Sequence, residues 1–151
     1  MPEPLKLLAR DAEDLAVLSA HMQDAVARLG DMVFVPEERR FALVASRFNW
    51  IGAAGGRMER RLTGMHFDNV LRVSRTGLDQ GSPGTMLNLL GILFEETSAP
   101  SGLLTLTFSG GGAIRLEVEC IEARLRDLGA RWTTRRKPGH ADADGPADGD
   151  E

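Results

Sequence analysis

The stretch from residue 109 to residue 129 constrains the fold of this chain more than any other part of the sequence. It begins with Ser-Gly-Gly-Gly, a composition typical of a hairpin turn that needs positive φ angles. From residue 113 to residue 120 apolar and polar residues alternate strictly, which predicts a strand with one buried face. The apolar face carries Ile114, Leu116, Val118 and Cys120, and the polar face carries Arg115, Glu117 and Glu119.

The spacing of the apolar residues changes after this strand. Ile121, Leu125 and Leu128 follow at i, i+4 and i+7, which places them on one face of a helix. Gly129 stands where a left-handed C-terminal cap is expected. We therefore predict a C-terminal helix from about Glu119 to Leu128, packed across a β-layer. The side chains predicted to be buried are Ile114, Leu116, Val118, Ile121, Leu125 and Leu128.

The rest of the chain predicts further short strands and one more helix. Residues 5–10 alternate as a first strand, and Asp11 is placed to cap a helix over about residues 12–22. A strand begins near Asp24, and its end at residues 32–35 is joined by a polar turn to a strand at residues 41–50 as a hairpin. Further strands are predicted at residues 66–73 and 103–108. Residues 85–96 fit either a buried strand or a short helix, and Gly91 favours the strand.

These elements amount to about seven short strands in hairpin order, with one helix near the N-terminus and one at the C-terminus. Sequential hairpins imply antiparallel pairing. We predict a single α+β domain over residues 1–133, a curved sheet or barrel with the C-terminal helix packed on it. Residues 134–151 lack large apolar residues and are acidic from residue 141, which predicts a disordered tail. We expect this tail to contribute solubility or to pair transiently with the basic region 57–61.

The composition bounds the class of protein. The chain has 151 residues, 42% of them apolar and 26% charged, with a formal net charge of −4. Such values are ordinary for a soluble globular domain, and the basic surplus of a nucleic-acid binder is missing. The start does not resemble a secretory signal, and no apolar run approaches the length of a membrane span. We expect a cytoplasmic protein without a nucleic-acid partner. Cys120 is the single cysteine, which we expect to be a buried and inert thiol.

Few residues suggest a catalytic, metal-binding or phosphate-binding role. His66 and Asp68 are two residues apart on a predicted strand, so their side chains would project from one face as a dyad or as two metal ligands. No third ligand follows at a recognisable spacing, so we favour a partly exposed polar pair without a functional role and predict neither a metal nor another cofactor. The turn at residues 109–112 lacks the lysine and the following helix of a phosphate-binding loop. No serine is part of a nucleophile motif.

Arginines are concentrated in one region of the chain. Guanidinium groups close to Phe48 and Trp50 suit planar anions or phosphates. The alternative is a mixed-charge surface, since acidic residues are interspersed, and we favour this interpretation. The arginines between residues 39 and 72 are Arg39, Arg40, Arg47, Arg57, Arg60, Arg61 and Arg72.

Three segments of the chain are DLAVLSAHMQDA at residues 14–25, RRFAL at residues 39–43 and GGGAIRLEVECIEA at residues 110–123. Together they resemble an uncharacterised family of small alphaproteobacterial proteins. The resemblance covers residues 5–132 and implies a bacterial cytoplasmic protein, but the family is a domain of unknown function and supplies no catalytic or binding residues. The predicted strand order with a C-terminal helix is also similar to pleckstrin-homology-like barrels, which bind lipids, peptides or partner proteins. That similarity concerns the fold alone.

Two functional hypotheses follow. The favoured one is a non-enzymatic interaction or regulatory module with a protein partner, because the sequence presents a well-patterned scaffold without a set of nucleophile, base or metal ligands. The alternative is a small metabolite-binding protein or enzyme with an anion-accepting pocket between the sheet and a helix. The first candidates for lining that pocket are Arg47, Trp50 and His66. The sequence leaves the oligomeric state open.

Overall fold

The computed structural model describes residues 4–56, 58–78 and 82–133. The predicted tail and Arg57 lie outside these residues. The strands are β1 (Lys6–Ala9), β2 (Val26–Val35), β3 (Arg40–Phe48), β4 (Glu59–Phe67), β5 (Val70–Thr76), β6 (Met86–Glu96), β7 (Gly102–Phe108), β8 (Ala113–Val118) and β9 (Ala123–Thr133). The helices are α1 (Ala12–His21) and α2 (Trp50–Ala54), and short 3₁₀ turns lie at Pro36–Glu38 and Ser109–Gly111.

All strands belong to one antiparallel sheet with the order β1-β9-β4-β3-β2-β6-β7-β8-β5. Because β1 and β5 are edges, the sheet is not closed. Strand β2 joins the two halves of the sheet, since Val26 pairs with Ser46 of β3 and with Asn88 of β6. The register of β2 against β3 then shifts between Ala27 and Met32, an irregularity of the kind that bends a strand.

The sheet curves around one hydrophobic core. Every strand contributes at least one buried apolar side chain to the same cluster, which a flat sheet could not achieve. Helix α1 packs against β1 and β6 with Leu15 and Leu18 buried, so it covers the core between them. Asp11 caps this helix as predicted, and its carboxylate accepts a hydrogen bond of 2.8 Å from the backbone N–H of Asp14.

Several expectations are confirmed. The described part of the chain is mostly antiparallel sheet with two helices, of the α+β kind. The register of β8 is as predicted, because Ile114, Leu116 and Val118 are buried whereas Arg115 and Glu117 are exposed. Residues 85–96 form a strand, β6. The turn before β8 contains two glycines in the left-handed region, with φ of 87° at Gly110 and 94° at Gly111.

The predicted C-terminal helix is wrong. Its residues lie largely in β9, which pairs with both β1 and β4 and is therefore an interior strand of the sheet. Leu128, predicted to be buried on the helix, is 41% exposed. Hydrogen bonding to two neighbouring strands stabilises the extended conformation of this segment. The helical spacing of Ile121, Leu125 and Leu128 carries no information about these distant partners. The similarity to pleckstrin-homology-like barrels rested on this helix and is not confirmed.

The described residues form nine strands rather than about seven. One extra strand is β9. The other arises because the predicted strand at residues 66–73 is interrupted at Asn69, which has a φ of 61°, so that β4 ends and β5 begins there. Strand β3 ends at Phe48, which places Trp50 in α2 and not on a strand. Cys120 lies beyond the end of β8 and is half-buried, not buried as predicted.

Candidate functional site

The inner faces of β3, β4 and β9 change from apolar to ionic along the strands. Their aligned rows are Phe41–Phe67–Ala123, then Leu43–Met65–Leu125, then Ala45–Thr63–Asp127. In the next row Arg47 of β3 lies opposite Arg61 of β4. Arg47, Arg61 and Asp127 are all buried, at 3%, 3% and 6% exposure. The core of the protein therefore ends in a buried ionic cluster.

Asp127 is the centre of this cluster. Arg47 donates two hydrogen bonds to its carboxylate, from Nε to Oδ1 at 2.9 Å and from Nη2 to Oδ2 at 2.7 Å. The Thr63 hydroxyl donates to Oδ1 and the Leu5 backbone N–H to Oδ2, both at 2.8 Å. Burial alone would raise the pKa of Asp127, but the hydrogen bonds from Arg47, Leu5 and Thr63 hold its pKa below the ordinary value. The carboxylate is thus fully engaged in joining three strands to the N-terminal segment.

A second chain of contacts connects this cluster to α2. Arg61 Nε lies 3.5 Å from Oε1 of Glu59, and the same oxygen accepts a hydrogen bond of 2.8 Å from the Asn49 side chain. Asn49 in turn caps α2, since its side-chain oxygen accepts from the backbone N–H of Gly52 at 3.0 Å. These contacts fix the start of α2, where Trp50 is located.

Trp50 is held by neighbours on both sides. Its indole N–H donates to the backbone oxygen of Gln23 at 3.1 Å. Its ring meets Phe48 edge to face, with 4.8 Å between the ring centroids. The Arg60 guanidinium lies 6.0 Å from the centre of the Phe48 ring and donates to the backbone oxygen of Ser46. Trp50 therefore joins α2 to the loop after α1.

The outer face of the same strands carries a groove of about 630 Å³. Two aligned rows of residues cross it, Lys6–Arg126–Gly64–Val44 and Leu8–Arg124–His66–Ala42. Leu8 and Leu128 are 40% and 41% exposed along the groove. Leu128 lies over the sheet next to Gly64, and a β-carbon on Gly64 would be at an ordinary contact distance of 3.6 Å from the Leu128 methyl groups.

The groove is cationic. Lys6 of β1 and Arg126 of β9 are register partners, so two positive side chains lie directly opposite each other on one face. Neither forms an ion pair with another residue in the described part of the chain, and no described residue lining the groove is a carboxylate. Arg124 is paired with Glu122 at 3.6 Å. Like charges directly opposite each other destabilise a strand pair, so this arrangement is unfavourable without a bound anion.

His66 lies at one side of the groove. Its Nε2 is buried and 3.5 Å from Oδ2 of Asp68, and the contact does not have hydrogen-bond geometry. Asp68 instead accepts a hydrogen bond of 2.8 Å from Arg40 Nε. Burial and the charges of Arg40 and Arg124 lower the pKa of His66, so the imidazole is neutral at neutral pH. Within the described ranges, no group of three or more His, Cys, Asp or Glu side chains is arranged to hold a metal.

The residues singled out in the sequence do not form one pocket. Arg47 lies on the inner face of the sheet and is bound to Asp127, whereas His66 lies on the outer face and lines the groove. Trp50 is on α2. Sequence reasoning missed Lys6, Arg126 and Asp127. The available signal was the alternation of Arg124 and Arg126 with Leu125 and Asp127, which a strand assignment for these residues would have used.

Comparison with other proteins identifies a family. No helix of the described residues is long and apolar enough to cross a membrane. No curated protein and no solved structure matches the chain significantly. The family model described as "Protein of unknown function (DUF2948)" matches residues 5–140. This range includes every strand and helix described above, the buried ionic cluster and the residues of the groove. The chain therefore belongs to the DUF2948 family of proteins of unknown function.

Proposed function

We propose that this protein is a non-enzymatic interaction module that binds an acidic segment of a partner protein in the outer groove. One observation carries the proposal. Lys6 and Arg126 lie opposite each other without a carboxylate among the described lining residues, beside the side-chain-free floor at Gly64. A carboxylate placed between the two cations would remove their repulsion, so binding and the stability of the strand pair would be coupled.

The apolar part of the groove supports a protein segment as the ligand. Leu8 and Leu128 are partly exposed, and Val44 on β3 is half-buried. Apolar side chains of a partner would be removed from water here, with a gain of about 25 cal/mol per Å² of buried apolar area. The cations at Lys6 and Arg126 would then select acidic partners and speed their association.

The ionisable groups on the inner face support a binding role over a catalytic one. Arg47 and Asp127 are buried and hydrogen-bonded to each other, and Arg61 lies 3.8 Å from the same carboxylate. A general acid, base or nucleophile must reach a substrate, whereas these groups join β3, β4 and β9 inside the protein. Their position suits a scaffold that keeps the outer face in a fixed shape.

A small anionic metabolite is the second candidate ligand. The volume of about 630 Å³ lies within the range of roughly 300–1,000 Å³ that small-molecule sites have. In that case Lys6 and Arg126 would bind the anionic group and His66 would contact the body of the molecule. The location in a bacterial cytoplasm that the sequence resemblance implies stays a prediction.

Site-specific photo-crosslinking tests the proposal. A photoreactive phenylalanine analogue at Val44 should yield a discrete protein adduct in the host, whereas the analogue at Leu93, which is 65% exposed on the other half of the sheet, should not. The doubly reversed variant Lys6→Glu/Arg126→Glu should lose the adduct. It keeps like charges opposite each other, so its folding is comparable with that of the original protein.

The matched control is Arg72→Glu/Arg75→Glu, which reverses two exposed cations on β5. The Val44 adduct should persist in this variant. The same adduct from Val44 and Leu93, or an adduct that survives reversal of Lys6 and Arg126, would contradict a partner bound at the groove. Native mass spectrometry distinguishes the second candidate, because a bound metabolite adds a small mass that disappears in the Lys6→Glu/Arg126→Glu variant.

A further inference from the structure

We infer that the acidic end of this same chain, residues 142–151, occupies the outer groove and competes there with external ligands. The inference rests on the proposed function, because it concerns the regulation of the same groove. These residues contain five carboxylates and no basic residue, so their charge is opposite to that of the groove. The carboxylates are Asp142, Asp144, Asp148, Asp150 and Glu151.

The spacing of the acidic residues matches the spacing of the cations. Arg124 and Arg126 are two residues apart on β9, so their side chains leave the same face about 7 Å apart. In an extended chain Asp142 and Asp144 would likewise project from one side at about 7 Å, and Asp148 and Asp150 repeat the pattern. One Asp-x-Asp unit can therefore meet both arginines, or Arg126 together with Lys6.

The point at which β9 ends allows the acidic residues to reach the groove. Arg126 lies seven residues before Thr133, a strand length of about 23 Å at about 3.3 Å per residue. Asp142 lies nine residues after Thr133, and an extended chain of that length spans about 30 Å. A chain that reverses direction after β9 can thus bring Asp142 back to Arg126, with the basic residues 135–137 left outside the groove.

This geometry fits the groove better than the other basic region of the protein. Arg61 belongs to region 57–61, which the sequence suggested as a transient partner of the tail, but its side chain is only 4% exposed and lies against Asp127 and Glu59. The Lys6 and Arg126 side chains line an open groove instead. Because the tail is covalently attached, its effective concentration at the groove is in the millimolar range, so even a weak contact reduces the affinity for other ligands.

Paramagnetic relaxation enhancement in the full chain tests the placement. A spin label is attached to Gly149→Cys in a Cys120→Ser background. At low salt, the amide signals of Val44, Gly64 and Arg126 should broaden. The broadening should disappear at about 0.5 M salt, where the Debye length is only a few ångströms, and in the Lys6→Glu/Arg126→Glu variant. It should persist in Arg72→Glu/Arg75→Glu. Unbroadened groove signals at low salt, or broadening seen only between labelled and unlabelled copies, would overturn the inference.

A binding measurement tests the competition. The probe is a fluorescein-labelled peptide with the sequence of residues 141–151, added to the full chain. The variant with Asp142, Asp144, Asp148 and Asp150 changed to Asn and Glu151 changed to Gln should bind the probe at least tenfold more tightly than the original chain, because its own tail no longer competes. Reversal of Lys6 and Arg126 in that variant should abolish binding. Equal affinity of the original and neutralised chains would overturn the inference.

The two proposals fail separately. A Val44 adduct with an external protein but no relaxation enhancement from the tail would refute self-occupancy and leave the interaction function intact. Relaxation enhancement at the groove without any external adduct or bound metabolite would support self-occupancy and refute the proposed function.

Discussion

At the scale of single residues, Asp127 connects parts of the chain that are far apart in sequence. Its carboxylate accepts hydrogen bonds from Arg47 of β3, Thr63 of β4 and the Leu5 backbone before β1. Arg47 and Asp127 are both buried, so neither can replace this contact with a hydrogen bond to water. Removing one partner of a buried ion pair leaves the other charge uncompensated, which costs far more than the intact pair contributes.

The variant Asp127→Asn should therefore lose about 3–5 kcal/mol of unfolding free energy in urea denaturation at neutral pH. The matched control is Asp31→Asn, which removes an exposed carboxylate 3.5 Å from Arg28 and should change stability by less than about 0.5 kcal/mol. Equal effects of the two changes would contradict the structural role of Asp127. Since the folded-state pKa of Asp127 is lowered, its contribution is present above about pH 4 and is lost as the pH falls through the folded-state pKa.

His66 should make stability depend on pH in the mildly acidic range. Burial and the neighbouring Arg40 and Arg124 lower its folded-state pKa below the unfolded value of 6.5. The unfolded state therefore binds the proton more readily, and stability decreases as the pH falls from about 6.5 towards the folded-state pKa. Urea denaturation at pH 7.5 and pH 5 should show a smaller decrease for His66→Gln than for the original protein. The pKa of His21 is lowered as well, so part of the pH dependence should remain in this variant.

At the scale of elements, β9 determines how the two faces of the sheet are used. Its buried positions Ala123, Leu125 and Asp127 complete the core and the ionic cluster. Its alternate positions Arg124 and Arg126 line the groove. Against β4 the register of β9 shifts after Asp127, where Gly129 has a φ of 95°. The residue that the sequence suggested as a helix cap thus has a left-handed conformation for a different reason, a bulge inside the sheet.

Gly129→Ala should destabilise the protein by about 1–3 kcal/mol, because an L-residue is strained at this φ. Gly64→Ala is the matched control on the neighbouring strand. A β-carbon there meets the Leu128 methyl groups at 3.6 Å, an ordinary contact, so stability should stay unchanged or rise by up to about 1 kcal/mol. Thermal and urea unfolding of both variants measure the difference. A Gly129→Ala protein as stable as Gly64→Ala would argue against the bulge.

At the scale of the whole molecule, one sheet serves two purposes. The inner face of β3, β4 and β9 ends in paired charges that hold the strands together, and the outer face of the same strands presents cations without carboxylates among the described lining residues. The hydrogen bonds of the buried Asp127 carboxylate hold the strands together, and Lys6 and Arg126 stay close to each other despite their repulsion. In our proposal the acidic residues 142–151 supply the opposite charge.

Removal of residues 138–151 should leave the melting temperature within a few degrees of the original value at high salt. This segment offers no large apolar side chain, while ordering it costs roughly 1–2 kcal/mol per residue of backbone entropy. The formal charge changes from −4 to +1, because five acidic residues and no Lys or Arg are removed. Circular-dichroism melting at low and high salt measures the effect. A larger drop that persists at high salt would show that the segment packs on the sheet through apolar contacts.

Elements with a local pattern could be predicted from the amino-acid sequence. The alternation in β8, the glycine turn before it and the Asp11 cap of α1 each follow from neighbours within a few residues. For residues 85–96 the sequence left a strand or a short helix open, and Gly91 favoured the strand that forms. The spacing of apolar residues and the capping of helices depend only on such nearby residues, and they suffice to predict an antiparallel α+β protein.

Elements that depend on distant partners became clear from the three-dimensional structure alone. The spacing of Ile121, Leu125 and Leu128 favours a helix, but pairing with β1 and β4 selects the strand for residues 123–128. That selection places Asp127 against Arg47 and brings Arg126 opposite Lys6, 120 residues apart in the chain. Neither the ionic cluster nor the groove is visible in the sequence, because the charges that form them come together only through the order of the strands.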